Sequence, residues 1–315
     1  MSITGMHPVS LHKTVSRKWL KTVLQCWQLY ILLLPAFIYF LIFNYYPMYG
    51  VQIAFRQYRT NLGFWGSPWI GLGHFRRFIT FPNFWKIIRN TMVLSAYTIA
   101  VFPLAVIVAL LINELTNSKF KRAVQMVTYA PHFISTVVVC SMIMLFLNNS
   151  NGIINNLIST LGGERVDFMM HPRYFPHVYV WSGVWQNIGW STIIYLAALS
   201  SVSPELIEAS RIDGANRLQI ILHVNIPTIL PTIVIMLILS CGNILSVGFE
   251  KVYLLQNPLN KDAAQVISTY VYEVGLQGAQ FSYSTAIGLF NTVINVTVLL
   301  IVNTVTQKIT NIGLW

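Results

Sequence analysis

Charged residues divide the chain into long uncharged stretches. Asp, Glu, Lys and Arg are absent from residues 22–55, 90–113, 123–163, 174–204, 218–249 and 274–307. A helix needs about 20 mostly apolar residues to cross about 30 Å of hydrocarbon, and each stretch contains such a window. The pattern therefore predicts six membrane-spanning helices, near residues 26–46, 91–113, 124–147, 177–199, 227–249 and 283–306.

The segment before the first predicted span is basic, with Lys13, Arg17, Lys18 and Lys21. It is similar to the start of a secretory signal, but the apolar run that follows is too long and has no small-residue cleavage site after it. We therefore expect a retained span. Basic and aromatic residues at interfacial-helix spacing predict an interfacial segment over residues 1–25, followed by a membrane domain over 26–315.

Composition strengthens the membrane interpretation. The 315 residues are 55% hydrophobic and 9% charged, whereas soluble domains carry about 25% charged residues. The fold class expected is an all-α membrane protein. The net charge of +11 suits loops beside anionic lipid headgroups, and no basic run is long enough to predict nucleic-acid binding. The three cysteines show no CxxC spacing, so neither a disulfide framework nor a metal site is expected.

Charge alone leaves the orientation undecided. With the amino terminus inside, the inner segments and the outer loops carry equal numbers of Lys and Arg, so the positive-inside rule favours neither orientation. The first outer loop causes the tie, because it holds six cations and no acid: Arg56, Arg59, Arg76, Arg77, Lys86 and Arg89.

Several classes of chemistry lack the residues they need. The sequence has no HExxH, GxSxG or P-loop motif, and no pair of acids within a predicted span. No ionisable residue is placed at mid-membrane to relay protons. An intramembrane enzyme is therefore disfavoured. A stand-alone channel or secondary transporter for a small polar solute stays as the alternative to a transporter powered by a partner.

The loop after the fourth predicted span has the local pattern of a helical hairpin. Ser203 is placed to cap a helix that continues to about Ile212, with Pro204 at its first position. Gly214 is suited to the following turn, and a second short helix is predicted from Ala215 to about Val224. Pro227 and Pro231 predict a bend into the fifth span. An ordinary solvated loop is the alternative, but the apolar face of this hairpin favours a partner.

Twelve residues of this loop carry a family resemblance. Glu208–Gln219 reads E-A-S-x-x-D-G-A-x-x-x-Q and is followed by I-P-x-x-x-P at residues 226–231. The motif resembles the EAA signature of the membrane subunits of binding-protein-dependent ABC importers, with Ser210 and Ile226 as small departures. Residues 44–55 and the aromatic first loop further resemble the sugar-importing branch, in particular permeases for complex oligosaccharides and polysaccharide fragments.

The resemblance implies a type I ABC importer permease fold with six transmembrane helices. Residues 200–226 would form the cytoplasmic coupling hairpin between the fourth and fifth helices, which places both termini in the cytoplasm of a bacterium and the chain in its inner membrane. The implied partners are a second permease subunit, two ATPase subunits, a solute-binding protein and a saccharide. ATP and Mg²⁺ would bind the ATPases, so no cofactor is expected in this chain. The residues implied in ATPase coupling are Glu205, Glu208, Ala209, Ser210, Asp213, Gly214 and Ala215.

Aromatic and amide side chains are the expected contacts for a sugar, which offers hydroxyl groups and flat CH faces. The candidates are Asn187, Trp190 and Tyr195 in span four, with Ser191 and Ile194 as alternatives for the last two, then Asn243 in span five and Asn291 and Asn295 in span six. A packing role and an interfacial aromatic belt are the alternatives for the tryptophan. Hydrogen bonding between helices is the alternative for the asparagines.

An acidic sugar is one further possibility. The uniformly basic first outer loop would attract a uronate-containing oligosaccharide. The same cations could instead lie among lipid phosphates, so the sequence leaves both interpretations open.

Overall fold

A computed structural model describes residues 25–314, and the polypeptide divides into two compact units, Met1–Ile53 and Ala54–Trp315. The basic lead-in predicted before residue 25 lies outside the described residues. In the first unit, α1 spans Trp27–Phe40 and continues through a π-helical segment, Leu41–Tyr45, into α2 at Tyr46–Met48. The stretch is apolar around its whole circumference, as expected for a membrane-embedded helix.

The described part of the second unit is built mainly of helices. They are α3 Gly63–Gly66, α4 Gly73–Ile79, α5 Phe84–Ala100, α6 Pro103–Asn113, α7 Ser118–Tyr129, α8 Thr136–Phe146, α9 Ile153–Thr160, α10 Phe175–Leu199, α11 Pro204–Ile212, α12 Arg217–Ile220, α13 Ile226–Gly242, α14 Phe249–Leu255, α15 Lys261–Ala264, α16 Ile267–Tyr272 and α17 Phe281–Thr310. Further π-helical segments cover Ile221–Asn225 and Glu273–Gln277, and 3-10 segments cover Tyr49–Phe55, Ala130–Phe133 and Pro172–Tyr174.

Helix α10 is the centre of the second unit. It packs against α5, α6, α7 and α13, and α13 packs in turn against α17. Three apolar clusters fill the interior, and each joins residues that are distant in sequence. One of them, around Val106, Tyr195 and Ile229, ties α6, α10 and α13 together. These helices therefore form one packed group around α10.

Within residues 25–314, four helical stretches are long and apolar enough to cross a membrane: Trp27–Phe55, Phe84–Asn113, Arg217–Gly242 and Phe281–Thr310. A bent pair, Ser118–Phe133 with Thr136–Phe146, would make a fifth. Helix α10 has 25 residues and agrees closely with the predicted range 177–199. Its amides and tryptophans lower its hydropathy, and it is not among the stretches named above.

The prediction of one continuous third span over residues 124–147 is wrong. The chain breaks at Ile134 and Ser135, which are both extended, and the helices on the two sides meet at 98°. Ser135 caps the new helix by accepting a hydrogen bond from the Val138 amide at 3.4 Å. The buried Gln186 of α10 donates to the Ile134 carbonyl at 3.0 Å, so the break does not leave this backbone group unpaired.

The region around the fifth span also differs from the prediction. Residues Arg217–Gly242 form one helical stretch, so Pro227 and Pro231 do not separate a short helix from the span. A π-helical segment, Ile221–Asn225, immediately precedes the helix that contains both prolines. Such a wider turn accommodates missing backbone hydrogen bonds without ending the helix. The span also ends at Gly242 rather than at residue 249.

Candidate functional site

A cavity of about 860 Å³ lies between α5, α6, α10, α13 and the start of α14. Its wall is mostly apolar but includes a set of polar side chains: Ser95, Thr98, Tyr179, Asn187, Ser191, Ser240, Asn243, Ser246 and Lys251. Four of the six residues predicted for the substrate pathway are in this wall, namely Asn187, Trp190, Tyr195 and Asn243. An apolar cavity with a few convergent polar groups is the usual form of a small-molecule site.

A close approach of two helices sets one side of this site. A Cβ atom built on Gly189 of α10 would lie 2.1 Å from the Thr128 carbonyl oxygen of α7. Only glycine allows this contact, which draws the 3-10 segment after α7 onto α10. The break at residue 134 then turns the chain away. The segment Ala130–Phe133 is consequently placed over the side chains of Asn187 and Trp190 on α10.

His132 joins two of the predicted side chains. Its imidazole is stacked on the Trp190 indole, with ring centroids 4.4 Å apart and planes 6° apart. Its Nδ1 lies 3.0 Å from the Asn187 Oδ1, and the Asn187 amide nitrogen donates to the Gly183 carbonyl at 3.1 Å. The sequence indicated only a histidine near a proline, so its position between these two side chains could not be anticipated.

The other predicted pathway residues differ in their surroundings. Tyr195 is 2% exposed and packs in the cluster around Val106. It therefore belongs to the packed interior as well as to the cavity wall. Asn243 follows the last residue of α13, is exposed, and donates to the Leu239 carbonyl at 3.2 Å. Tyr195 therefore presents little surface to the cavity, whereas the Asn243 amide is accessible in it.

Asn291 and Asn295 are not in the cavity wall. Asn295 accepts a hydrogen bond from the Leu245 amide at 2.9 Å and donates to the Ser246 hydroxyl at 2.8 Å. It therefore holds the turn that follows α13, which is the interhelical role that the sequence left open. The Asn291 Oδ1 is buried and has no hydrogen-bond partner among the described residues.

Lys251 is a functional candidate that sequence reasoning missed. It lies in α14, after the end of the fifth span, and is 9% exposed. Its Nζ has no hydrogen-bond partner among the described residues and lies 5.5 Å from the centroid of the Tyr179 ring. Burial lowers the pKa of Lys251 to about 8, against a smaller opposite effect of the Cys140 thiol. The only signal in the sequence was a lone lysine next to Glu250.

The six cations of the first outer loop are not all free to attract a ligand. The Arg56 guanidinium donates to the carbonyls of Trp65 and Ser67, and Arg77 lies over the Tyr283 ring, 4.3 Å from its centroid. Lys86 is paired with Asp262. Arg59, Arg76 and Arg89 are exposed.

The hairpin between α10 and the fifth span has the caps that its sequence predicts. The Ser203 hydroxyl accepts from the Glu205 amide at 3.3 Å, and α11 ends at Ile212. Gly214 has φ of +81°, in the left-handed region that favours glycine. Asn216 and Gln219 then form a reciprocal capping box, which starts α12 at Arg217 rather than at Ala215.

One side of this hairpin is embedded and the other is exposed. Ile207 and Ile221 pack on the cluster around Val106 and Tyr195. Leu206, Ile212 and Leu218 are 55%, 87% and 63% exposed. Of the residues predicted for coupling, Glu205, Glu208, Ala209, Asp213 and Gly214 are exposed, and Ser210 and Ala215 are half-buried. The exposed side thus combines apolar side chains with charges of both signs, since Arg211 and Arg217 are exposed as well. The base of the hairpin packs on α6, α10 and α13.

The polar groups of this cavity are of types that bind a solute. Among residues 25–314, no group of three or more His, Cys, Asp or Glu side chains is arranged to hold a metal ion. The described residues of the cavity wall include one cation and no carboxylate. Amides, hydroxyls, aromatic rings and an ammonium group can bind and orient a polar solute.

Residues 102–311 match the family described as binding-protein-dependent transport system inner membrane component. Together with the relatives below, this match shows that the chain belongs to that family, and its all-helical architecture is the ABC permease fold. The predicted family and the sugar-transporting branch are both confirmed.

Individual relatives align over nearly the whole chain. The polygalacturonan/rhamnogalacturonan transport system permease protein YteP of Bacillus subtilis (strain 168) is 42% identical over 98% of this chain and 96% of its own length. Protein LplB of the same organism is 40% identical over 94% of both chains.

A solved structure is also similar. A chain in the crystal structure of a bacterial alginate ABC transporter, in complex with alginate pentasaccharide-bound periplasmic protein, has a TM-score of 0.86 and 40% identity. The match covers 93% of this chain and 99% of that chain.

Proposed function

We propose that this chain is the membrane subunit of an ATP-driven importer and forms part of the translocation pathway for an acidic oligosaccharide. The cavity between α5, α6, α10 and α13 is the observation that carries the proposal. Its amides and aromatic rings suit the hydroxyl groups and CH faces of a sugar. Among the described residues of its wall, Lys251 is the one cation and there is no carboxylate, which suits an anionic sugar.

The relatives support the acidic substrate. YteP is named for polygalacturonan, a polymer of uronic acid units, and the similar solved structures concern alginate, described there as an acidic polysaccharide. The exposed cations Arg59, Arg76 and Arg89 of the first loop add a field of the same sign.

The proposed topology has six spans. They are the stretch Trp27–Phe55, the stretch Phe84–Asn113, the bent pair around residue 134, α10, the stretch Arg217–Gly242 and α17. With the hairpin after α10 in the cytoplasm, an even number of spans places both termini there as well. The outer end of the cavity is then the end at Lys251, because α14 follows the fifth span.

The hairpin, residues 200–226, is proposed to dock on a cytoplasmic ATPase subunit. Glu208 would pair with a basic residue of that subunit, Ala209 would allow close approach, and Gly214 makes the turn. The exposed Leu206 and Ile212 supply an apolar surface that the described chain does not cover. Because the hairpin base packs on α6, α10 and α13, a movement of the ATPases would be transmitted to the cavity helices.

The remaining partners are those expected of a member of this family. A second permease subunit would complete the pathway, a solute-binding protein would deliver the sugar, and two ATPase subunits would bind ATP and Mg²⁺. This chain itself would bind no cofactor and catalyse no reaction.

The proposal is tested on the importer purified through a tag on this chain and reconstituted in liposomes. With the binding protein added, trigalacturonate should enter only when ATP is supplied inside, and it should stimulate ATP hydrolysis. Uptake of a neutral trisaccharide should be much slower. Entry that does not require ATP would instead favour a channel or a secondary transporter, and a preference for the neutral sugar would reject the acidic substrate.

A further inference from the structure

Lys251 is unusual in this chain because it is a buried cation without a counter-ion. It is 9% exposed, and its Nζ has no hydrogen-bond partner in the described part of the chain. The two ion pairs in the described part of the chain join Lys86 to Asp262 and Lys261 to Glu273, so neither involves Lys251. Burying a cation without a partner is costly. A cost of this kind at a cavity wall suggests a partner that arrives from outside.

The groups around Lys251 do not neutralise it. From α10, the Tyr179 ring faces the ammonium at 5.5 Å, and from α8 the Cys140 thiol is the neighbouring titratable group. On its own helix, Glu250 is exposed and forms no ion pair with it. The aromatic face attracts a cation but supplies no hydrogen-bond acceptor and no negative charge, and the ammonium hydrogens have no acceptor among the described residues.

The backbone of α10 leaves room for this ammonium. A Cβ atom built on Gly183 would lie 3.5 Å from the Lys251 Nζ. The Asn187 amide donates to the carbonyl of the same Gly183 at 3.1 Å. The ammonium and the Asn187 amide therefore flank one turn of α10, and both residues belong to the cavity wall.

We propose that Lys251 binds the carboxylate of the oligosaccharide within the cavity, while Asn187 on the same turn contacts a neighbouring hydroxyl group. This inference rests on the proposed function and assigns the residue that distinguishes acidic from neutral sugars. The ammonium has no acceptor among residues 25–314, and a carboxylate would supply two oxygens to it. In the proposed orientation Lys251 lies at the outer end of the cavity, where a sugar released by the binding protein enters.

The experiment compares trigalacturonate with its trimethyl ester. The ester has the same rings and hydroxyl groups but no charge, because all three carboxylates are esterified. The importer, with its own partner subunits, is reconstituted with wild-type chain, Lys251→Gln, Lys251→Arg or the exposed control Lys308→Gln. Both sugars are supplied at concentrations that saturate the binding protein, and the uptake of each variant is divided by that of wild type for the same sugar.

Lys251→Gln should lower trigalacturonate uptake by about tenfold or more and leave uptake of the ester within about twofold. Lys251→Arg should retain most of the acidic transport, and Lys308→Gln should change neither. Equal losses for both sugars in Lys251→Gln, or no loss for either, would overturn the assignment of Lys251 while leaving the proposed function in place. A wild-type importer that prefers the ester would reject the proposed substrate itself.

A second measurement does not depend on a substitution. Since the pKa of Lys251 is about 8, its charge decreases as the pH rises from 7 to 8.5. Wild-type uptake of trigalacturonate relative to the ester should therefore fall over this range. A constant ratio would contradict the assignment even if Lys251→Gln failed to assemble.

Discussion

The imidazole of His132 covers one face of the Trp190 indole, with 4.4 Å between the ring centroids and 6° between the planes. The same imidazole is hydrogen-bonded to Asn187, three residues earlier on α10. The contacts of His132 therefore fix the positions of Asn187 and Trp190 in the cavity wall before a sugar binds. It also leaves only the opposite face of the indole for a sugar ring.

Trp190→Ala should reduce sugar uptake by about threefold to tenfold, because an aromatic contact contributes about 0.5–1.5 kcal/mol beyond the area that it buries. Assembly with the partner subunits should be unchanged, since Trp190 is 47% exposed. Uptake by the reconstituted importer is the measurement.

Trp185→Ala is the matched control for this change. Trp185 lies on the same helix and is also 47% exposed, but it is not in the cavity wall. Equal losses of uptake in the two variants would mean that Trp190 acts through general packing of α10 rather than through contact with the sugar.

Glu208→Lys should leave membrane insertion intact and abolish the stimulation of ATP hydrolysis by substrate. The side chain is exposed on α11, so the fold does not depend on it, whereas a reversed charge would repel a basic residue of the ATPase. The measurement is ATPase activity with and without the loaded binding protein. Glu164→Lys makes the same charge change on the loop before α10 and should stimulate normally. Normal stimulation in Glu208→Lys would remove this residue from the coupling contact.

Gly214→Ala should destabilise the hairpin by about 1–2 kcal/mol, because alanine is disfavoured in the left-handed region. The observed φ is +81°, and no heavy atom lies within 4 Å of an added Cβ, so the effect is confined to the backbone. Gly214→Asn should be milder, since asparagine tolerates this conformation.

Thermal unfolding and substrate-stimulated ATPase activity are both measured for these variants. Gly288→Ala is the control, because the added Cβ also meets no atom there while the backbone is an ordinary helix. If Gly214→Ala and Gly288→Ala were equally stable and active, backbone strain at the turn would not matter for coupling.

Lys251→Met should raise the free energy of unfolding at pH 7, by about 1–4 kcal/mol, because it removes an uncompensated buried cation. The pKa of Lys251 is about 8 in the folded chain and 10.5 ordinarily. At a pH between these two pKa values the unfolded chain binds more protons than the folded chain. The free energy of unfolding of the wild type therefore rises with pH in this range. The advantage of the methionine variant should therefore be largest below pH 8 and shrink towards pH 10.

Thermal unfolding in detergent from pH 7 to 10 tests this expectation. The Cys140 thiol faces Lys251, so the comparison is repeated in a Cys140→Ala chain to remove its titration. Lys308→Met, at an exposed position, should show no such pH dependence. A methionine variant less stable than wild type at pH 7 would show that Lys251 serves the fold rather than the cavity.

The sequence predicted those features that depend only on interactions between residues close together in the chain. The charge-free run over 174–204 placed α10 to within two residues, and the Ser203 cap and Gly214 turn lie where their chemistry predicts. The break at residue 134 was missed because an apolar run does not distinguish a straight helix from a bent one. Its signals were Pro131 and the capping Ser135, which are weak without the buried Gln186 that completes the break.

The sequence by itself determined the class of this protein, since scarce charge requires lipid-facing helices and the EAA motif identifies the family. Tertiary structure decided which polar residues share a cavity. Asn187 and Asn243 line it, Asn295 instead holds a backbone turn, and Lys251 reaches it from a short helix beyond the fifth span. The physical reason is that spacing along a helix fixes a residue's face, whereas only the packing of distant segments fixes what that face meets.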